Sequence, residues 1–322
     1  MSEPRVVIII PSYNGVDVAY KGQPVLKHCL GSLKKTAYKN YAILVSDDCS
    51  TDSSVEYIKK NWHYVNITRR KKNGGYAENA NTGLKYALAN MKFDYAVMMN
   101  NDIIITEPDW LSKLIRLAES DHKIGIIGCN LTYPNGKTQG NVIHFKDRFS
   151  LRTLGKSETD AHGYKSVREA KTISGAIQVI NKKTIDKIGI MDTNFINGYD
   201  DEDYCIRARR TGFKLVYDGK VSAIHLQNLT LRNTNSKVST PSNRVYNNAR
   251  NGFYFLRKHR TECGYFRLPI WYCIYFLRAF ISIGGQNGES DFSKIGFSSR
   301  FWFNIKSVTR AMVDSFRLQI RQ

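Results

Sequence analysis

The fold of this chain is decided by the stretch Met98-Met99-Asn100-Asn101-Asp102, which ends an apolar run from Tyr95 and is followed by Ile103-Ile104-Ile105. An apolar run that ends in three small polar side chains predicts a buried parallel strand whose carboxyl end opens into a crevice. In open α/β sheets, ligands bind in such a crevice. A carboxylate held there suits a hard divalent cation, and a cation in turn suits a diphosphate. The alternative for Asp102 is a plain polar turn that ends a strand.

Strands and helices alternate along residues 1–130, on both sides of this stretch. Apolar periodicity predicts strands at 5–10, 42–45, 64–68 and 124–129, and helices at 26–35, around 55–58, at 76–90 and at 109–119. Such alternation with short links predicts right-handed parallel βαβ units. The first turn, Pro11-Ser12-Tyr13-Asn14-Gly15, contains no Gly-x-Gly-x-x-Gly, which argues against a dinucleotide dehydrogenase. Residues 1–130 are therefore predicted to be a doubly wound, nucleotide-binding half.

The remainder of the chain is less regular. Residues 130–170 are polar, and we expect loops and a short hairpin there. Further on, the pattern predicts strands at 172–180, 213–217 and 221–225, helices at 182–188 and around 205–208, a polar loop at 226–241, and helices near 242–260, 265–283 and 297–318. We therefore expect one domain over residues 1–240, divided into halves at 130, and a helical C-terminal region over 241–322.

Charge restricts the class of partner. The 322 residues contain 48 Lys and Arg against 28 Asp and Glu, for a formal net charge of +20. This excess predicts attraction to nucleic acid, to an anionic membrane face or to phosphorylated substrates. The six cysteines have no metal-binding spacing, so we interpret them as reduced thiols of a cytosolic protein.

The longest apolar run, residues 268–283, lies among the basic residues that follow Arg250. It is shorter than the roughly 20 residues that a spanning helix needs, and it contains Arg278. The run is compatible with a helix in a membrane interface and with a helix packed inside the protein.

Seven motifs occur in a fixed order, and each carries small, acidic or amide side chains. They are Ile9-Ile10-Pro11-Ser12-Tyr13-Asn14-Gly15, Val45-Ser46-Asp47-Asp48-Cys49-Ser50-Thr51-Asp52, residues 73–83 (NGGYAENANTG), Asn100-Asn101-Asp102, Ser174-Gly175-Ala176, Asp200-Asp201-Glu202-Asp203 and Ala223-Ile224-His225. Over about residues 5–260 the chain resembles glycosyltransferase family 2, the inverting nucleotide-sugar transferases, and within it the rhamnosyl- and galactofuranosyltransferase-like branch. The resemblance implies an α/β GT-A fold, a Rossmann-like and mostly parallel sheet flanked by helices, with a C-terminal helical extension.

The resemblance implies a UDP- or dTDP-linked sugar donor. Asp47 or Asp48 would accept the N3–H of the pyrimidine, since a carboxylate is the acceptor that an imide donor requires. Alternatively, these two residues only end a strand and cap the next helix. The donor-binding residues implied in this way are Pro11, Tyr13, Asn14, Asp47, Asp48, Asn73, Gly74, Asn79, Asn81, Asn100, Asn101 and Asp102.

A divalent metal, Mg²⁺ or Mn²⁺, is also implied. Asp102 matches the last position of the family's Asp-X-Asp motif, whereas the first position is Asn100, so we expect weaker metal affinity. His225 aligns with a histidine that completes the metal site in some GT-A enzymes, and an imidazole ligand favours Mn²⁺ as well as Mg²⁺. A structural role is the alternative for a lone histidine.

The acidic cluster at 200–203 supplies the implied base. Acids are favoured at a helix start by about 0.3–1 kcal/mol each, and Asp203 and Arg207 form an i,i+4 pair, but mutual repulsion opposes four acids in a row. In the family the second acid is the general base, here Asp201. Gly175, Asp200 and Asp201 would contact the acceptor, a glycan or a lipid-linked glycan.

We therefore expect an inverting glycosyltransferase, cytoplasmic and peripheral at the cytoplasmic membrane face, that does not bind nucleic acid. A nucleic-acid-binding protein would use the same charge, but the C-terminal aromatic residues cluster in apolar runs such as Trp271-Tyr272 and no recognition motif is present. A catalytically silent glycosyltransferase-like scaffold is a third hypothesis, which Asn100 suggests.

Overall fold

The computed structural model describes residues 3–139, 165–196, 198–227, 241–263 and 297–320. The strands are β1 (Val6–Ser12), β2 (Ala19–Tyr20), β3 (Gln23–Pro24), β4 (Tyr41–Asp47), β5 (Asn66–Arg69), β6 (Tyr95–Met99), β7 (Ile103–Ile105), β8 (Ile124–Thr132), β9 (Val167–Ala170), β10 (Ile177–Asn181) and β11 (Lys214–His225). The helices are α1 (Val25–Leu33), α2 (Ser54–Asn61), α3 (Tyr76–Asn90), α4 (Trp110–Glu119), α5 (Lys182–Ile188), α6 (Asp200–Arg210), α7 (Pro241–Lys258), α8 (Arg260–Cys263) and α9 (Phe297–Arg317).

One sheet of nine strands organises most of the chain, in the order β5-β4-β1-β6-β10-β8-β11-β7, with β9 paired to β11. The strands β5, β4, β1 and β6 are mutually parallel, which confirms the predicted parallel half. Beyond β6 the sheet is mixed, because β10 runs antiparallel to both β6 and β8. The carboxyl end of β6 therefore meets the amino end of β10.

Each face of the sheet has its own core, because successive side chains of a strand point to opposite faces. Ile10 packs with Leu30 of α1 in one core, and Ile9 packs with Leu84 of α3 in the other. The helix α3 lies close to β1, since a Cβ on Gly83 would stand 2.6 Å from Cγ2 of Ile9. This close approach brings the first turn of α3 to the carboxyl ends of β1 and β4.

Several predicted elements are corrected. Pro11 and Ser12 belong to β1 and not to a turn; the pairing of β1 with β6 stops at Ile9, so the missing N–H of Pro11 breaks no ladder. The strand predicted at 172–180 begins only at Ile177. The two strands predicted at 213–217 and 221–225 are one strand, β11, whose register against β8 shifts between Asp218 and Ser222.

Other predictions are confirmed or lie outside the described residues. The helices at 76–90 and 182–188 have the predicted bounds. The short hairpin corresponds to a turn closed by the pairing of Thr132 with Thr138, and the rest of the polar stretch, 140–164, lies outside the described residues. The apolar run 268–283 and the loop 228–240 also lie outside them. The short elements β2, β3, β9 and α8 are additions that the pattern did not predict.

The chain forms two compact units, Met1–Thr193 with Asp200–Thr234, and Asn194–Tyr199 with Asn235–Gln322. In the second unit α7 and α9 pack through Ala249, Phe253, Val308 and Ala311. The side-chain amide of Asn251 donates to the carbonyls of Ile196 and Gly198, at 2.8 and 3.1 Å, which ties residues 194–199 to α7. None of the helices in the described ranges has an apolar stretch of the length that crossing a bilayer requires.

Candidate active site

The carboxyl end of β6 carries the three polar residues of the deciding stretch. The backbone N–H of Asn100 donates to the carbonyl of Ala176 at 2.9 Å, and the amide of Asn101 donates to Oγ of Ser12 at 3.0 Å. Asp102 is buried, and its Oδ1 lies 3.3 Å from Nε2 of His225. The predicted pair of metal ligands is therefore brought together at this edge of the sheet.

The position of His225 follows from the sheet. It is the last residue of β11, where it pairs with Ile103 of β7, directly after Asp102. The N–H of Leu226 also donates to the carbonyl of Asp102 at 3.0 Å. On its other side, Nδ1 of His225 lies 2.8 Å from Oε1 of Gln139, a buried residue next to the short hairpin.

Two acceptors at this edge lack a donor among the described residues. The buried oxygens Oδ1 of Asn100 and Oδ1 of Asp102 accept no hydrogen bond. Leaving a buried polar group unpaired costs about 1–3 kcal/mol, more for a charged one, unless a ligand satisfies it. Carboxylate, amide and imidazole groups together fit Mn²⁺ or Mg²⁺. No group of three or more His, Cys, Asp or Glu side chains with metal-binding geometry occurs within the described ranges, so a cation held here would complete its coordination with other groups.

The acidic cluster begins α6. Oδ2 of Asp201 accepts the N–H of Gly175 at 2.6 Å, and its Oδ1 accepts the N–H of Glu202 at 3.0 Å. A Cβ on Gly175 would lie 3.0 Å from Cβ of Asp201, so any larger residue would have to push Asp201 away from this position. The predicted pair of Asp203 with Arg207 is confirmed, at 2.9 Å and buried.

Glu202 has an unusual environment for a carboxyl group. Its Oε2 is buried and accepts no hydrogen bond from the described residues. Burial, followed by the neighbouring charges of Asp201 and Asp200, raises the pKa of Glu202 well above its usual range. Burial and these charges favour the neutral form of Glu202 over its carboxylate, and a neutral Glu202 would relieve the repulsion among the four consecutive acids.

Tyr76 connects the acidic cluster with Asp102. Its hydroxyl donates to the carbonyl of Gly175 at 3.1 Å. Burial, with the charges of Asp200, Asp201 and Asp102, raises the pKa of Tyr76 well above its usual range. The contacts link the two parts of the sequence through neighbouring residues: Gly175 accepts the hydroxyl of Tyr76 and donates to Asp201, and Ala176 accepts the N–H of Asn100 at the end of β6.

The predicted base-binding acids are engaged by the protein itself. Oδ2 of Asp47 accepts the N–H of Ser50 at 3.0 Å and lies 3.2 Å from Nε of Arg69. Asp48 accepts the N–H groups of Gly74 and Gly75, at 3.0 and 2.9 Å, and its Oδ1 lies 2.8 Å from Nε of Arg70. Burial raises the pKa of Asp48, although these hydrogen bonds and the Arg70 charge act in the opposite direction.

Two predicted donor-binding amides have structural partners. The amide of Asn79 donates to the carbonyls of Ser46 and Ser12, at 2.8 and 3.3 Å, and so ties α3 to β4 and β1. The side-chain amide of Asn81 donates to the carbonyl of Met191 and accepts the N–H of the same residue, both at 2.9 Å. Both side chains are buried, so their hydrogen-bonding capacity is used largely within the protein.

The remaining predicted residues line the same loops. Pro11 is buried at the end of β1, whereas Tyr13 and Asn14 are partly exposed. Asn14, with a φ of 49°, accepts the N–H of Thr51 at 2.8 Å. Asn73 and Gly74 are exposed before α3. These loops follow the carboxyl ends of β1, β4 and β5, where a ligand of a parallel sheet is expected.

Comparison with known families decides the class. The sequence profile described as "Glycosyl transferase family 2" matches residues 7–185, more than half of the chain. The chain belongs to glycosyltransferase family 2. This confirms the predicted resemblance to family 2, and the family profile spans the first five of the seven motifs.

Curated relatives of this family 2 glycosyltransferase share 22–23% identity with it. They include the uncharacterized protein y4gI of Sinorhizobium fredii (233 residues aligned), the O-antigen biosynthesis protein RfbC of Myxococcus xanthus (237 residues) and the low-salt glycan biosynthesis hexosyltransferase Agl10 of Haloferax volcanii (218 residues). The alignments cover 66%, 71% and 65% of this chain. They cover 23%, 18% and 66% of those proteins, so the chain spans about a fifth of the first two and about two thirds of the third.

Solved structures share the fold at low identity. The mannosyltransferase PcManGT from Pyrobaculum calidifontis, in complex with GDP-Man and Mn²⁺, superposes with a TM-score of 0.53 at 14% identity over 99% of this chain and 76% of its own. S. aureus TarS 1–349 gives 0.51 at 12% identity, covering 97% and 91%, and GalNAc-T7 with UDP, GalNAc and Mn²⁺ gives 0.52 at 14%, covering 78% and 51%. The predicted GT-A class of α/β fold is confirmed by these likenesses.

Three residues of the candidate site are not predicted by the sequence pattern. Tyr76 lies in one of the motifs without an implied role, and Glu202 lies in the acidic run beside the implied base. Gln139 lies in the polar stretch whose elements the pattern does not specify. For Tyr76 a signal existed, since it is the one aromatic residue among the amides and small residues of its motif. For Gln139 the sequence contains no such signal, because its partner His225 is 86 residues away in the chain.

Proposed function

We propose that this chain is an inverting, metal-assisted glycosyltransferase that moves a sugar from a UDP- or dTDP-linked donor to a hydroxyl of a glycan or a lipid-linked glycan. The observation that carries the proposal is that two acidic groups adjoin the same end of β6. Asp102 lies 3.3 Å from His225, and Asp201 accepts the N–H of Gly175, next to Ala176, whose carbonyl accepts the N–H of Asn100. This proximity supports a metal-binding role for Asp102 and the role of base for Asp201 at one edge of the sheet. The names of RfbC and Agl10, which refer to O-antigen and glycan biosynthesis, support an acceptor of this class.

Recognition of the nucleobase of the sugar donor is assigned to Asp47 in preference to Asp48. Both oxygens of Asp48 are engaged by backbone N–H groups and Arg70. The hydrogen bonds to Asp47 from described residues all reach Oδ2, which leaves Oδ1 to accept the N3–H of a uracil or thymine. The structural neighbours were solved with GDP-Man in one case and UDP in another, so the fold accommodates both kinds of base.

A divalent cation would be held by Asp102 and His225, with Oδ1 of Asn100 as a further oxygen donor. When bound, it would stabilise the negative charge that develops on the leaving diphosphate. Asp102 is fixed through its own backbone, since the N–H of Leu226 donates to the Asp102 carbonyl. PcManGT and GalNAc-T7 were solved with Mn²⁺, which favours that ion for the first experiments.

Proton removal is assigned to Asp201. The N–H of Gly175 holds one carboxylate oxygen, so the group is oriented before the acceptor binds. Asp201 takes the proton of the acceptor hydroxyl while the hydroxyl oxygen attacks the anomeric carbon from the face opposite the diphosphate. The sugar transfers with inversion, and the nucleoside diphosphate leaves with the bonding electron pair.

A donor screen followed by product analysis tests the proposal. Thermal shift with UDP-, dTDP- and GDP-sugars, each with and without Mn²⁺, should identify one donor, since a ligand at 100 times its Kd adds about 2.7 kcal/mol of stability. NMR of the transferred sugar should then show inverted anomeric configuration. Retained configuration refutes the mechanism. The absence of any metal-dependent donor binding, hydrolysis or transfer favours the silent-scaffold hypothesis.

Contact with an anionic membrane is proposed for the second unit. Val313, Phe316 and Ile320 lie on one face of α9 or directly after it and are 44%, 55% and 46% exposed. The side chains of Arg310 and Arg317 on the same helix are 80% and 76% exposed. An apolar stripe flanked by arginines is typical of a helix that lies in a lipid interface.

Flotation with liposomes tests this contact on the full chain. Binding to vesicles with phosphatidylserine should exceed binding to pure phosphatidylcholine and should fall when Val313, Phe316 and Ile320 are all changed to Ser. Leu88→Ser, at a 39% exposed apolar residue of α3, is the matched control and should bind normally. Equal flotation of the triple variant and the control refutes a membrane role for α9.

A further inference from the structure

Gln139 holds His225 through two hydrogen bonds from a single side chain. Its Nε2 donates to the carbonyl of His225 at 2.6 Å, and its Oε1 lies 2.8 Å from Nδ1 of the same residue. Gln139 is itself fixed, because its backbone N–H donates to the carbonyl of Leu131 at 2.7 Å and its side chain is buried. The imidazole therefore has no freedom to rotate without breaking a contact with Gln139.

These contacts determine which imidazole nitrogen carries hydrogen. Nε2 of Gln139 faces two carbonyl oxygens, of His225 at 2.6 Å and of Thr132 at 3.3 Å, so the amide cannot be turned around without setting oxygen against oxygen. Its Oε1 is an acceptor only, so the hydrogen lies on Nδ1 of His225. In the neutral imidazole the lone pair is then on Nε2.

Nε2 of His225 also lies close to a buried acceptor. Nε2 of His225 lies 3.3 Å from Oδ1 of Asp102, an oxygen that accepts no hydrogen bond from the described residues. A lone pair and a carboxylate oxygen at this separation repel each other, and a cation bound by both converts the repulsion into attraction. The arrangement matches that of metal-binding histidines in general, whose second ring nitrogen donates to an oxygen acceptor.

We propose that Gln139 is a positioning residue that keeps His225 in the tautomer and orientation that present Nε2, together with Asp102, to a divalent cation. The inference rests on the metal site of the proposed function and adds a residue from outside the motifs. Gln139 touches neither the cation nor the substrate. It acts by fixing the ligand, so its removal should reduce metal affinity and leave the rest of the fold in place.

Mn²⁺ binding to the full chain, measured by electron paramagnetic resonance without nucleotide, tests the inference. Gln139→Leu should weaken Mn²⁺ binding by about 10–100-fold, which is the usual effect of removing the partner of a metal-binding histidine. His225→Ala should weaken it at least as much. Gln178→Leu, which removes another buried glutamine of the same sheet, is the matched control and should leave Mn²⁺ affinity unchanged.

The double variant separates a positioning role from a merely structural one. In the His225→Ala background, Gln139→Leu should change Mn²⁺ affinity by less than about threefold, because the group that it positions is gone. Gln139→Met replaces Gln139→Leu if thermal unfolding shows that the leucine variant is not folded.

The outcomes distinguish this inference from the proposed function. No Mn²⁺ binding by the unmodified chain overturns the metal site as a whole. Mn²⁺ binding that His225→Ala weakens and Gln139→Leu does not overturns the role of Gln139 alone. Equal losses from Gln139→Leu in both backgrounds also overturn it, since the effect would then not pass through His225.

Discussion

Asp201→Asn is the substitution that most directly tests the proposed chemistry. The carboxylate accepts the N–H of Gly175 with Oδ2 at 2.6 Å and the N–H of Glu202 with Oδ1 at 3.0 Å. An asparagine has one acceptor oxygen, so it can keep only one of these two bonds. The variant therefore retains the position of the side chain, because the bond to Gly175 survives, and loses the carboxylate that accepts a proton.

The cost to stability is limited. Losing one hydrogen bond to a charged acceptor costs about 1.5–3 kcal/mol, and losing an acid from the first turn of α6 costs about 0.3–1 kcal/mol. The change also removes the negative charge beside Glu202, which is one cause of that residue's raised pKa, so part of the cost is offset. We expect the free energy of unfolding to fall by about 1–3 kcal/mol, within the range that a folded domain tolerates.

The cost to catalysis is larger. Removing a general base usually lowers turnover by about 10²–10⁴-fold, which corresponds to about 2.7–5.4 kcal/mol of transition-state free energy. The donor Kd should change by less than about threefold, since the described partners of Asp201 belong to the protein backbone and not to the loops of the base pocket. The expected signature is a loss of kcat at nearly unchanged donor affinity.

The assay is initial rate at saturating donor, with donor Kd from calorimetry and folding checked by circular dichroism. Asp186→Asn is the matched control, since Asp186 is an exposed acid of α5 that pairs with Lys182, and its kcat should equal that of the unmodified chain. A kcat for Asp201→Asn within about threefold of the unmodified value refutes the assignment of the base. A loss of donor affinity that accounts for the whole effect refutes it as well.

Three further predictions concern the surroundings of Asp201 and the amides of α3. Gly175→Ala places a Cβ 3.0 Å from Cβ of Asp201, so we expect the unfolding free energy to fall by about 1–3 kcal/mol and kcat to fall at least tenfold. Gly31→Ala is the control: its Cβ would lie 3.7 Å from the nearest atom, on Trp62, so neither quantity should change. The pKa of Glu202 is raised well above its unfolded value near 4.5, so between these two pKa values the folded chain binds one proton more than the unfolded chain. The free energy of unfolding should therefore fall as pH rises through that window. Urea denaturation at pH 5 and pH 8 should show a smaller change in stability for Glu202→Gln than for the unmodified chain, and an equal change contradicts the raised pKa. Asn81→Leu breaks both hydrogen bonds with Met191 and should cost about 2–4 kcal/mol in urea denaturation while leaving the donor Kd within about threefold, so lost donor affinity at unchanged stability contradicts the structural role.

The first half of the fold was predictable because its signals are local. The parallel strands β1, β4 and β6 are continuous apolar runs, and each is followed by turn residues and an amphipathic helix. The mixed half was not predictable in the same way. The order β6-β10-β8-β11 depends on pairings between residues far apart in the chain, such as Ile177 with Met99, which no local pattern specifies.

The motifs predicted which polar side chains lie together at the end of β6, and their roles in the reaction stay predictions. The acids at 102 and 201 and the histidine at 225 belong to motifs, and the structure places all three at the edge where β6 ends. Asn79 and Asn81 belong to a motif as well, but their buried amides bond to the backbones of Ser46 and Met191. Sequence alone does not distinguish an amide that binds a ligand from one that binds its own backbone.

If the donor binds as proposed, the charges at this edge lead us to expect that it needs a cation. Two arginines near this edge are already paired, Arg69 with Asp47 and Arg70 with Asp48.

Burial first, and then the charges of Asp200, Asp201 and Asp102, raise the pKa of Tyr76 at this edge. Two unit charges of like sign about 4 Å apart repel by about 4 kcal/mol at an effective dielectric constant of 20, so a diphosphate brought to this edge without a counter-charge would be repelled. A divalent cation between Asp102 and the diphosphate reverses the sign of that interaction. The proposed donor should therefore bind measurably only together with the metal, and the two affinities should be reciprocally coupled.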